Sequence, residues 1–102
     1  MKVYNKLVRD KIPEIIQESG AKCTVHIANN EEYQVKLYEK VQEELLEFKH
    51  KPSLEEYIDI IEVLEALAQL HDIDLKSMRL RKRVKRNSRG GFEKRIILES
   101  TE

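Results

Sequence analysis

Apolar residues recur at helical spacing along two long stretches of this chain. Between residues 31 and 49, Leu37, Tyr38, Val41, Leu45 and Phe48 fall on one stripe, and Lys51-Pro52 stops the pattern. A second helix is predicted over 54–71, with Ser53 as its N-cap. In it Tyr57, Ile58, Ile60, Ile61, Val63, Leu64, Leu67, Ala68 and Leu70 cover well over half the surface. An apolar arc that wide must meet more than one neighbour. The link between the two helices is only about five residues long, which predicts an antiparallel helical hairpin.

Shorter elements flank the hairpin. Pro13 suits a first helical position and Gly20 the left-handed position past a helix end, so a short helix is predicted over 13–19. Lys22-Cys23-Thr24-Val25-His26-Ile27 is rich in β-branched residues and reads as a strand. After the hairpin, Asp74 is a candidate N-cap for a fourth helix over 74–87, turning Leu75, Met78, Leu80 and Val84 inward. Arg89-Gly90-Gly91 breaks that helix. Ile96-Ile97-Leu98 then reads as a second strand, and pairing of 22–27 with 94–98 is the expected way for both to be stabilised. The fold class is mainly α: a helical hairpin core within a four-helix, bundle-like arrangement in one domain, residues 1–102, with a small two-stranded β element.

Composition sharpens this picture only through its arrangement. The 102 residues carry 19 basic and 19 acidic side chains, a formal charge of zero. Residues 14–74 nevertheless hold fifteen acidic against five basic residues, and residues 79–95 nine basic against one acidic. Cys23 is the only cysteine, so no intrachain disulfide forms and a reducing compartment is expected. The first eleven residues have no apolar run of signal-peptide length and nothing later reaches transmembrane length, which predicts a cytoplasmic protein away from membranes.

The chemistry in the sequence lies in two acidic clusters, Glu43-Glu44-x-x-Glu47 and Glu56-x-x-Asp59 followed by Glu62. Carboxylates three and four residues apart share a helix face, so the two arms of a hairpin can bring several oxygen ligands to one point. At about 100° per residue, Glu39, Glu43 and Glu47 line one stripe with Glu44 at its edge toward the apolar side. Such a stripe is commonly only the solvated face of an amphipathic helix. Ser53-x-x-Glu56 also matches a capping box, which would give Glu56 a purely structural task. Against both stands density: five carboxylates around one hairpin turn repel unless cations neutralise them, and Mg²⁺ is suited to such oxygen ligands.

This acidic pattern resembles the metal-binding signature of the MazG-like all-α nucleoside triphosphate pyrophosphohydrolases, which include phosphoribosyl-ATP pyrophosphohydrolase and dimeric dUTPase. The start, Tyr4-Asn-Lys-Leu-Val-Arg-Asp-Lys-Ile-Pro13, and the end, Arg89-Gly-Gly-Phe-Glu-Lys94, resemble a small branch of that superfamily. The resemblance implies Glu44, Glu47, Glu56 and Asp59 as ligands of Mg²⁺ or Mn²⁺. It implies Glu43 and Glu62 as further ligands or as catalytic partners of the attacking water. The link from Glu47 to Glu56 is shorter than usual for the motif, which leaves Asp59 and Glu62 as an alternative source of the second helix's ligands. The implied reaction is Mg²⁺-dependent cleavage between the α and β phosphates, giving a nucleoside monophosphate and pyrophosphate, in a house-cleaning or regulatory role.

A triphosphate needs cations beyond the metal, and Lys6, Arg9, Lys11, Arg89, Lys94 and Arg95 are the substrate-binding candidates, Arg9 and Arg89 foremost because a guanidinium engages phosphate oxygens in pairs. The wide apolar arc predicts a homodimer or homotetramer. The alternative is a noncatalytic helical module whose basic run 79–86 binds nucleic acid or an acidic partner. The zero net charge and the lack of interleaved aromatics argue against nucleic acid. His26, His50 and His71 lack ligand spacing, and Cys23 reads as a small packing residue.

Overall fold

Four helices and no strand make up the regular structure in a computed structural model that describes residues 1–102. These are α1 (Ile12–Glu18), α2 (Asn30–His50), α3 (Leu54–Leu70) and α4 (Met78–Arg89). No helix is long and apolar enough to cross a membrane. The chain falls into two compact units, Met1–Asp72 and Ile73–Glu102.

Within Met1–Asp72, local chemistry sets the helix ends. Pro13 opens α1, and Gly20, at φ +90°, closes it. There Gly20 N–H donates to Gln17 O at 3.0 Å and Ala21 N–H to Ile16 O at 3.3 Å, which satisfies the final carbonyls in a Schellman arrangement. Asn29 caps α2, its side chain accepting from Glu32 N–H at 2.9 Å. Ser53 caps α3, accepting from Glu56 N–H at 3.2 Å.

Helices α2 and α3 pack against each other as the expected hairpin. Leu37 of α2 and Ile60, Leu67 and Ala68 of α3 are its buried apolar side chains. The Phe48 and Tyr57 rings meet near the turn at 6.2 Å in a tilted pair, and at the far end Tyr38 Oη lies 2.9 Å from His71 Nε2. The expected stripe is only partly covered: Tyr38 and Leu45 are about half exposed, as are Tyr57, Ile58 and Leu64.

The β element expected from 22–27 and 94–98 does not form; neither segment is a strand. A strand needs a neighbour for its backbone groups and an apolar face to bury, and two short strands alone are marginal. Here Val25, Ile27, Ile96, Ile97 and Leu98 all remain exposed.

Ile73–Glu102 departs further from expectation. Asp74 does not cap a helix: its Oδ1 accepts from Lys76 N–H at 2.9 Å in an Asx turn, and α4 begins only at Met78. Leu75, Met78, Leu80 and Val84 do not turn inward, since every residue of this unit is exposed. The helix runs through Arg89 and ends at Gly90, whose φ of +84° suits glycine. Just beyond, Arg86 folds back to pair with Glu93 across Gly91; a Cβ on Gly91 would meet both side chains.

Candidate metal centre

Glu43, Glu44 and Glu47 lie near the C-terminal end of α2, and Glu56 and Asp59 near the start of α3, so both sets sit at the turn end of the hairpin. Glu44, Glu56 and Asp59 each offer a carboxylate oxygen to one point, the three atoms lying within 4.8 Å of one another. Glu44 was expected at the edge of the acidic stripe nearest the apolar side, and it is the one charged side chain that is buried, with 6% of its surface exposed. Glu56 and Asp59 are half-buried.

Two oxygens in this cluster have no partner. Glu44 Oε2 and Glu56 Oε2 are both buried and neither makes a hydrogen bond. A buried carboxylate oxygen without a donor or cation is costly, so such atoms call for an explanation. For Glu56 the capping-box alternative accounts for the backbone half of the motif, through Ser53, and leaves Oε2 unexplained. Burial raises the Glu44 carboxyl above its ordinary value. The negative charge of Glu47 adds to that rise, and Lys40 opposes it.

Three cations surround the cluster without filling it. Lys40 Nζ lies 3.5 Å from Glu43 and 3.4 Å from Glu44. Lys6 Nζ is 3.6 Å from Glu43, and Arg9 Nη2 is 2.8 Å from Asp59 Oδ1. Glu43, Glu44, Glu47, Glu56 and Asp59 bring five negative charges when ionised, against three positive ones from Lys6, Arg9 and Lys40. The cluster is therefore net acidic when ionised. Converging hard oxygen donors and an orphaned buried oxygen on each helix fit Mg²⁺ or Mn²⁺.

The other sequence candidates divide. Lys6 and Arg9 reach the cluster. Glu47 is exposed and acts on Glu44 through its charge. Glu62 is exposed, outside the three converging carboxylates, and makes no ion pair. Lys11 is exposed at the start of α1 without an ion pair. Arg89, Lys94 and Arg95 belong to Ile73–Glu102, where Arg89 lines a shallow basin of about 370 Å³ with Lys82, Lys85, Arg86 and Phe92. Lys40 is the residue the sequence reading missed. Its signal was present in Lys40-x-x-Glu43-Glu44, the spacing at which a helical lysine reaches both glutamates.

Compared with known proteins, the chain matches no family model, no curated protein and no solved structure. The site therefore stands on its own geometry.

Proposed function

We propose that this chain is a cytoplasmic, Mg²⁺-dependent nucleotide pyrophosphohydrolase of the MazG-like all-α kind, hydrolysing a nucleoside triphosphate to a monophosphate and pyrophosphate. The observation that carries this reading is the buried Glu44, whose carboxylate converges with those of Glu56 and Asp59 from the opposite helix of the hairpin and whose Oε2 has no partner. Glu44, Glu56 and Asp59 would hold the ion, with Glu47 at the rim. Once bound, the ion supplies Lewis-acid polarisation of the phosphate oxygens and charge neutralisation.

The chain's own side chains do the rest. Lys6 and Arg9 bind and orient the phosphates beside the carboxylates. Water attacks the α phosphorus, the bond from that phosphorus to the α–β bridging oxygen breaks, and pyrophosphate departs. The water's proton passes to a glutamate, with Glu43, next to Glu44, and Glu62, one helical step beyond Asp59, as the acceptors. A homodimer or homotetramer completes the helical bundle by covering the half-exposed apolar side chains of the hairpin.

One observation favours a second reading. On α4, Arg79, Arg81, Lys82, Arg83 and Lys85 have no carboxylate within ion-pair distance, and Arg86 is matched only by Glu93. A basic helix without internal neutralisation suits an anionic partner.

One experiment separates the two. Pyrophosphate release from a panel of standard and modified nucleoside triphosphates, with Mg²⁺ or with EDTA, should be metal-dependent and lost in Glu44→Ala and Asp59→Ala. It should persist in an Arg81→Glu, Arg83→Glu double variant. Release that is absent throughout, or unaffected by EDTA and by both carboxylate changes, would sink the enzyme reading.

A further inference from the structure

Residues 1–9 have no regular secondary structure, yet part of this segment is fastened to the hairpin at three successive points. Lys36 Nζ donates to the Asn5 carbonyl at 2.7 Å, Lys6 pairs with Glu43 at 3.6 Å, and Arg9 pairs with Asp59 at 2.8 Å. Asn5 takes a left-handed conformation at φ +46°, and Ile12 N–H returns to the Arg9 carbonyl at 3.0 Å as α1 begins. Residues 5–9 are thus a strap laid across α2 and α3, and each tie involves a lysine or arginine. Arg9 is half exposed, so water competes for its contact.

The last tie is the informative one. Asp59 belongs to the trio of converging carboxylates, and the orphaned oxygens of that trio belong to Glu44 and Glu56, the members that Arg9 does not touch. Of the three carboxylates, Arg9 thus neutralises Asp59 alone. A divalent ion at this point would draw on Asp59 and repel the adjacent guanidinium, because like charges at such separations oppose each other strongly in a half-buried site. A freed guanidinium, still anchored close by through Lys6 and Asn5, presents a planar fork that matches two phosphate oxygens.

Resting on the metal-site reading above, we infer that Arg9 is an exchange cation: it holds Asp59 while the carboxylate site lacks its ion, and passes to a phosphate of the incoming polyphosphate when the ion takes Asp59. The strap is then the element that couples ion loading to phosphate capture. This differs from a fixed orienting contact in the sign of its effects. Removing an exchange cation tightens the ion and weakens the phosphate, whereas removing an orienting residue weakens both.

The test uses the full-length chain with Mn²⁺ alone and then with inorganic triphosphate, compared across wild type, Arg9→Gln and Arg9→Lys, each first checked for helix content by circular dichroism. Arg9→Gln should bind Mn²⁺ about two- to five-fold more tightly, the size of a lost exposed ion pair. It should bind Mn²⁺-triphosphate about ten-fold or more weakly, since charge-assisted hydrogen bonds are lost. Arg9→Lys should keep the wild-type Mn²⁺ affinity and still lose triphosphate affinity, lacking the fork. Weaker or unchanged Mn²⁺ binding by Arg9→Gln overturns the exchange role and leaves the site standing; a wild-type protein that binds no Mn²⁺ overturns the site itself.

Discussion

Glu44 shows how much one side chain can disclose. Its neighbours in sequence, Glu43 and Leu45, are half-buried and exposed, while Glu44 is buried beside Glu56 and Asp59 of α3, with Lys40 its one ion-pair partner. Burial raises its carboxyl, so the folded, metal-free protein takes up a proton there at a higher pH than the unfolded chain does. The sign follows by linkage: between the ordinary carboxylate value of 4.5 and the raised value, the folded state binds more protons, and stability falls as pH rises. Urea unfolding of metal-free protein across that window should show this fall. It should be nearly absent in Glu44→Gln, which should also be the more stable protein at neutral pH, by roughly 1 kcal/mol, because an ionised and partly unsatisfied group is gone. Adding Mn²⁺ should stabilise wild type and leave Glu44→Gln unmoved. A variant less stable than wild type without metal would show that Glu44 serves the fold and not an ion.

At the scale of the element, α3 carries both core and site. Its N-terminus is fixed by Ser53, whose hydroxyl receives the Glu56 N–H, so the cap directly holds the residue whose Oε2 lacks a partner. Ser53→Ala should cost about 1 kcal/mol in unfolding free energy, as a lost N-cap does. It should also weaken Mn²⁺ binding by loosening Glu56, a double loss measurable by urea titration and calorimetry. Unchanged ion affinity in a destabilised variant would uncouple the cap from the site. Helix α4 behaves differently. Arg79 and Arg83, Arg81 and Lys85, Lys82 and Arg86, and Lys85 and Arg89 are like-charged pairs at i,i+4, each mildly destabilising. Its sequence gave a start at Asp74 that the Asx turn to Lys76 took over, since an aspartate can satisfy a turn as readily as a helix end.

At the scale of the molecule, the charge segregation is complete enough to matter. Met1–Asp72 holds fifteen acidic and nine basic residues, and Ile73–Glu102 four and ten, so net charges of −6 and +6 sum to zero. Only four apolar side chains are buried, while Leu45, Leu46, Leu54, Tyr57, Ile58 and Leu64 of the hairpin stay exposed. A core this small is marginal for a chain of this length, and the proposed association would cover these exposed apolar side chains. Light scattering should therefore give a mass of two or four times 12.1 kDa, reduced to one chain by Leu46→Asp with Ile58→Asp. A wild-type mass of one chain at micromolar concentration would remove the oligomer from the proposal.

Periodicity and end chemistry are local properties, and the sequence alone determined what depends on them: the two long helices, the caps at Ser53 and Gly20, the hairpin with its short link, and the acidic residues placed at its turn. Only the tertiary structure decided which carboxylates converge, because that depends on how α2 and α3 settle against each other side by side. Packing chose Glu44, Glu56 and Asp59 and left Glu47 and Glu62 outside. It brought Lys6 and Arg9 to the cluster across long stretches of sequence. It also withheld the strands at 22–27 and 94–98, because a strand exists only through a neighbour, and no pattern within one segment can supply one.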